Sequence, residues 1–362
     1  MDLKEQNILF FTRTMKLGGT ENVVLQLCEI LETKVNKIIV CSCGGVNTEK
    51  LKEMGIKHYT IPDIEGKSLS TMIETVKILK EVVKKEKISV IHTHHRMAAF
   101  YVYMTGLYKK CVFINTSHNT FKNKKKLTAL AYNKANLITC GSMVKKNLVE
   151  YFEIPENKVT VIHNAVKPFE APMVIDEKIK TLHDAGKFVF GNIGRLSEQK
   201  GMEYYIKSIP LVIKKHSNIF FLIIGSGEDE EKLKELVHQL KIDEFVYFTG
   251  YRSDIQNLMS QLDLIVLSSL WEGLPLTPIE AFSVGKTIIA TAVDGTVEVV
   301  KNENNGLLIE PKNVEKIAEK IDYIYENETL RKEFEKEAYK TYIEEFSFEV
   351  YGERIIDYYK KL

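Results

Sequence analysis

The chain has 362 residues, long for one hydrophobic core and comfortable for two. Its apolar content of 44% is ordinary for a globular protein, and no run approaches the ~20 apolar residues needed to cross a bilayer. Formal net charge is +1, yet residues 1–170 carry 26 of the 50 basic and 16 of the 49 acidic side chains, a net of +10 that leaves −9 for the remainder. That asymmetry suits two domains with different neighbours, the basic one able to face an anionic membrane or an anionic acceptor.

The N-terminus, MDLKEQNILFFT, enters a strand-like run without the basic, apolar and small-residue regions of a secretory leader, so a cytoplasmic protein is expected, with a peripheral position on the inner face of the cell membrane as an option. Cys28, Cys41, Cys43, Cys111 and Cys140 are odd in number and scattered, which argues for buried thiols in a reducing compartment rather than disulfides or a zinc site.

In chain order, strands are predicted at 7–12, 37–43, 89–95, 112–118, 137–142 and 159–166, with amphipathic stretches between them. In 69–87, Met72, Val76, Leu79 and Val83 recur at helical spacing. Residues 167–186 hold two prolines and no strand pattern, and read as a linker. Alternation then resumes at 188–196, 220–227, 246–251, 264–269, 287–293 and 306–311. The tail from about 313 is helical and charged, with a break near Phe346-Ser347-Phe348. Alternating strands and helices predict parallel sheets. The expected fold class is therefore α/β, two Rossmann-like, doubly wound domains facing across a cleft. Residues 1–168 form the first, 169–186 the linker and 187–346 the second, and a helix at 347–362 packs back on the first.

Doubly wound sheets bind ligands at the carboxyl ends of their strands. In LSSLWEGLPLTPIEAFSVGK, Glu272 and Gly273 follow a strand and Pro275 opens a helix, leaving the amides of Leu276 and Thr277 free for an anion. Glu280 lies about one turn further on, and two such carboxylates can take hydroxyls from different parts of one ligand, as on sugar and ribose. In GNIGRLSEQKG, Arg195 and Lys200 can converge on a diphosphate. Gly18-Gly19 and Gly225-Ser226-Gly227 permit close backbone approach but match neither a dinucleotide fingerprint nor a P-loop. Asp229 and its acidic neighbours load a helix start.

His92 and His94 share one strand face, His95 points away, and His118 ends the next strand. These side chains suit acid–base work or hydrogen bonds to a sugar; a metal site is the least favoured, since no acidic partner accompanies them. No Asp-x-Asp stands at a strand end to hold a cation. Lys122, Lys124, Lys125 and Lys126, beside Phe121 and Leu127, fit either an anionic membrane surface or a solvated loop.

Taken in order, these motifs resemble the retaining glycosyltransferases of family 4, which have a GT-B fold, over nearly the whole chain. The resemblance implies that Arg195 and Lys200 neutralise the leaving diphosphate, that Glu280 binds ribose and Glu272 the donor sugar, and that His118 meets the sugar near the reacting carbon. Gly18, Gly19, Gly225, Gly227 and Gly273 would also belong to the donor site, and His92 and His94 to the acceptor side. It further implies retention of anomeric configuration, a nucleotide-diphosphate sugar as donor (UDP favoured, GDP an option), no metal or other cofactor, no nucleic-acid partner, and a glycan or lipid-linked acceptor, as in bacterial surface polysaccharide synthesis. A nucleotide-sugar epimerase of the same fold and a noncatalytic binding protein are the competing readings. The first is disfavoured by the Glu272/Glu280 pair, and the second by the presence of Arg195, Lys200 and Glu272.

Overall fold

A computed structural model describes residues 1–66 and 68–362. The chain divides into two compact units, Met1–Asn164 with Tyr351–Leu362, and Ala165–Val350.

The first unit is built on seven strands: β1 (Asn7–Phe11), β2 (Lys37–Ser42), β3 (Lys57–Thr60), β4 (Val90–Thr93), β5 (Val112–Ser117), β6 (Asn136–Thr139) and β7 (Val159–Val161). They pair in parallel in the order β3-β2-β1-β4-β5-β6-β7. Every residue of β1 is buried, as expected for a central parallel strand covered by helices on both faces. Helix Leu69–Lys85 is capped by Ser68, whose hydroxyl accepts from the Thr71 amide, and buries Leu79 and Val82. β3 was not among the predicted strands. Its KHYT sequence forms an exposed edge, anchored by Lys57 and Tyr59 on the buried Glu86 carboxylate at 3.0 and 2.5 Å. Those bonds and Lys37 hold the Glu86 carboxyl down to about 2.

The second unit has β8 (Phe188–Ile193), β9 (Ile219–Ile224), β10 (Val246–Gly250), β11 (Leu264–Leu267), β12 (Ile288–Thr291) and β13 (Gly306–Ile309). They run parallel in the order β10-β9-β8-β11-β12-β13. Each sheet thus reverses its strand order once, at β1/β4 and at β8/β11, and such reversals are where doubly wound sheets take ligands.

Within residues 169–186, expected to be a linker, the part from 174 to 184 is structured. Asp176 caps a helix, Glu177–Asp184, and residues 174–176 are tied to the helix Ile255–Gln261. Val174 exchanges two 2.9 Å bonds with the Asn257 side chain, and the Asp176 amide donates to Gln261 at 2.8 Å. The break near Ser347 is a wide helical turn at Tyr342–Phe346 followed by extended Ser347, which bridges Val166. The last helix, Phe348–Lys361, buries Tyr351, Ile355 and Tyr359 at helical spacing, and its residues from Tyr351 onward belong to the first unit. All five cysteines are free thiols, and burial pushes Cys41 up to about 12.

Candidate active site

At the β8/β11 reversal the loops after both strands are sewn together. The Leu270 amide donates to the Gln199 carbonyl at 2.8 Å, Gln199 Nε2 to the Trp271 carbonyl at 3.0 Å, and Ser268 Oγ to the Lys200 carbonyl at 3.1 Å. Gly201 makes this possible, since φ of 55° and the nearness of the Ser268 carbonyl oxygen leave no room for a Cβ.

Beside these loops lies a pocket of about 410 Å³, lined by Gly194, Arg195, Gly225, Tyr251, Thr277 and Glu280 among others. Arg195 is exposed and has no carboxylate partner among the described residues. Helix Leu276–Ser283 starts after Pro275, so the amides of Leu276 and Thr277 precede its first internal bond. Pro278, next in line, has no N–H to offer. The Glu280 carboxylate likewise has no hydrogen-bond or ion-pair partner among the described residues. Burial pushes it up to about 7 and the Lys200 charge draws it back. A guanidinium, the helix start at Thr277 and an unpaired carboxylate in one pocket fit a ligand with an anionic group at one place and hydroxyls at another.

Glu272 is buried and already engaged. Its Oε1 accepts from Lys200 Nζ at 2.6 Å and from Ser269 Oγ at 2.6 Å, and its amide donates to Asp294 at 3.2 Å. The structure therefore lines one pocket with Arg195 and Glu280, but places Lys200 on Glu272 and not among the pocket-lining residues. Gly225, at φ of 139°, lets the β9 loop touch the Gly194 carbonyl, and Gly227 packs equally closely on Leu196. The Gly273 carbonyl packs against Gly295. Of the expected donor-site glycines in this unit, only Gly225 lines the pocket.

Sequence reasoning missed Tyr251, Arg252 and Ser269. Arg252 is clamped by Asp254 at 2.8 and 2.7 Å and by Asp176 at 2.8 Å, and this holds the Asp254 carboxyl down to about 2. Tyr251 stands 68% exposed on the same rim. The GYRSD run that carries them held the signal, an aromatic and a cation directly after a strand.

In the first unit, a second pocket of about 280 Å³ opens at the β1/β4 reversal, lined by Arg13, Thr20, Glu21, His94, His95 and His118 among others. Gly18 leads in extended form into helix Gly19–Glu32. Thr20 and Glu21 of its first turn, not Gly18 and Gly19, form the wall. His94 Nδ1 and His118 Nε2 share a hydrogen bond at 3.2 Å, with the rings stacked at 21°. Burial pushes His118 down to about 4 and His94 well below its ordinary value, so both are neutral hydrogen-bonding groups at physiological pH. His92, expected on the acceptor side, is instead a core residue. It is fully buried, its ring nitrogens are bound at 2.7 Å by Tyr359 and by Thr116, and it does not line the pocket. His95 lies past the strand and caps helix Arg96–Thr105 through the Met97 amide.

Of the basic segment, Lys125 opens helix Lys125–Tyr132 and pairs with Glu153 at 2.6 Å, whereas Lys122, Lys124 and Lys126 are exposed. Leu127 and Leu130 are about half exposed on that helix. No helix among the described residues is long and apolar enough to cross a membrane.

Two Rossmann-like units, each with a polar pocket at its strand-order reversal, define the architecture of the GT-B enzymes. A solved glycosyltransferase from Rickettsia africae superposes with a TM-score of 0.87 at 24% identity, with 98% of each chain covered. Anabaena HepE, solved in complex with UDP, gives 0.83 at 19% identity, over 99% of this chain and 100% of the other. The family model described as Glycosyltransferase Family 4 matches residues 17–168, and that described as Glycosyl transferases group 1 matches residues 174–341. The UDP-Gal:alpha-D-GlcNAc-diphosphoundecaprenol alpha-1,3-galactosyltransferase of Escherichia coli is 28% identical over 342 residues, 87% of this chain and 86% of that one. The chain belongs to these glycosyltransferases, enzymes that use nucleotide-sugar donors.

Proposed function

We propose that the protein moves a hexosyl group from a UDP-sugar to a lipid-linked or glycan acceptor, with retention at the anomeric carbon and without a metal ion. The observation that carries the donor assignment is the pocket in which an unpartnered guanidinium, Arg195, and an unpaired carboxylate, Glu280, stand with Thr277 of a helix start whose first amides are free. Arg195 and the amides meet the diphosphate, Glu280 accepts the two ribose hydroxyls, Glu272 accepts hydroxyls of the sugar, and Lys200 joins the diphosphate as charge develops on it. UDP is favoured by the donor that the E. coli relative's name states.

In the reaction, the bond between the anomeric carbon and the diphosphate oxygen breaks as an acceptor hydroxyl adds to the same face. The departing phosphate oxygen takes the acceptor proton, and UDP leaves. Stabilising charge on that leaving group, rather than supplying a dedicated base, gives most of the rate. His118, neutral and backed by His94, hydrogen-bonds the sugar near the reacting carbon. Lys122, Lys124 and Lys126, with the exposed Leu127 and Leu130, lie on an anionic membrane at the cytoplasmic face and bring the enzyme to a lipid-linked acceptor of surface polysaccharide synthesis. Incubation with UDP- and GDP-sugars, with and without a lipid-diphosphate glycoside, tests the reading through nucleotide release. Acceptor-dependent release of UDP is expected, and no release from any donor would overturn it.

A further inference from the structure

Lys200 and Glu272 are both assigned to the donor, and in the structure they are paired with each other. The ammonium and carboxylate lie 2.6 Å apart, with only 16% and 7% of their side-chain surface exposed. Ser269, itself buried and held through its carbonyl by Thr291 Oγ1 at 2.6 Å, donates to the same Glu272 oxygen. Glu272 thus keeps a second donor on the oxygen that meets Lys200, and Lys200, on its flexible four-carbon stem, is the member with freedom to move. The lysine chain runs past Gly194, where a Cβ would sit 3.2 Å from its Cδ and Cε, and Gly194 lines the pocket that holds Arg195. The lysine that meets Glu272 thus runs along the wall of that pocket. Its charge already reaches Glu280 there, drawing down that carboxyl.

We propose that Glu272 is a counter-ion latch on Lys200, which makes the site distinguish a sugar-bearing nucleotide from a bare nucleoside diphosphate. A bare diphosphate has to draw Lys200 away and leave the buried Glu272 carboxylate without its cation, next to further negative charge. A nucleotide sugar presents hydroxyls that donate to Glu272 as Lys200 departs, so the carboxylate keeps its hydrogen bonds. After transfer the sugar is gone, Glu272 reclaims Lys200, and the product nucleotide loses its second cation. The latch thus favours donor over product and speeds product release. It rests on the donor-site reading above, and Glu272 acquires a second role as a selectivity residue.

The test is calorimetric titration of the full chain with UDP, and with GDP in parallel, for wild type, Glu272→Gln, Lys200→Met and the double variant. Glutamine keeps the shape and the Ser269 bond but releases the cation. E272Q is expected to bind the bare nucleotide about tenfold more tightly than wild type, equivalent to about 1.4 kcal/mol. The gain must vanish in the Lys200→Met background, because a latch has nothing to release there. Equal affinity of wild type and E272Q overturns the latch, as does a gain that persists without Lys200, which would be simple repulsion by Glu272. Absence of UDP and GDP binding in both wild type and E272Q instead overturns the donor-site reading. Cooperative thermal unfolding verifies that each variant is folded, and Glu272→Ser repeats the comparison with a smaller neutral side chain.

Discussion

Replacing Glu280 by Gln removes a carboxyl whose proton affinity the fold has changed. Burial raises it from 4.5 to about 7, partly offset by Lys200. Between those values the folded protein keeps a proton that the unfolded chain has released, so this group makes stability fall as pH rises through that window. Over the part of the window from about pH 5.5 to about pH 7, the loss is about 2 kcal/mol. Glutamine does not titrate and escapes the loss. E280Q should therefore gain about 2 kcal/mol on wild type when both are compared at about pH 5.5 and again at about pH 8. Urea unfolding followed by the fluorescence of Trp271, the sole tryptophan and a residue of the same unit, reads the difference directly. An offset between E280Q and wild type that stays the same at both pH values would refute the reasoning. Function opposes stability at this position, because an ionised Glu280 is the better acceptor for two ribose hydroxyls. UDP binding by wild type should strengthen as pH rises through 7, and binding by E280Q should be flat.

Arg195→Ala removes the free guanidinium of the pocket and should weaken UDP binding by about 10- to 100-fold, the worth of a charge-assisted bond, with little change in thermal stability. Gly225→Ala combines a left-handed φ of 139° with a collision against the Gly194 carbonyl. It should cost about 1–3 kcal/mol of stability in urea unfolding and lower UDP affinity as well.

Much of the fold is written in the sequence because parallel strands buried on both faces become short runs of Ile, Val, Leu and Phe, such as FFLII in β9. KHYT of β3 escaped because an edge strand held by Lys57 and Tyr59 on Glu86 needs no apolar run. The helix Glu177–Asp184 escaped because prolines precede it, although Asp176 and the buried Ile179 and Leu182 are a capping and spacing signal. At the site, Glu272, Glu280, Arg195 and Lys200 are visible because strand ends and helix starts mark them. Their partners are not visible. Which of Arg195 and Lys200 is free depends on how the loops after β8 and β11 adjoin, and those loops lie some seventy residues apart. Alternation puts His92 and His94 on one strand face, but only the fold shows Tyr359, 267 residues away, bound to His92.

The central claim is that the second unit holds the nucleotide through Arg195 and Glu280. A crystal structure with UDP bound tests it most directly. Ribose hydroxyls are expected on the Glu280 carboxylate, and the diphosphate on the Arg195 guanidinium and the amides of Leu276 and Thr277. UDP bound elsewhere, with Arg195 and Glu280 untouched, would contradict it.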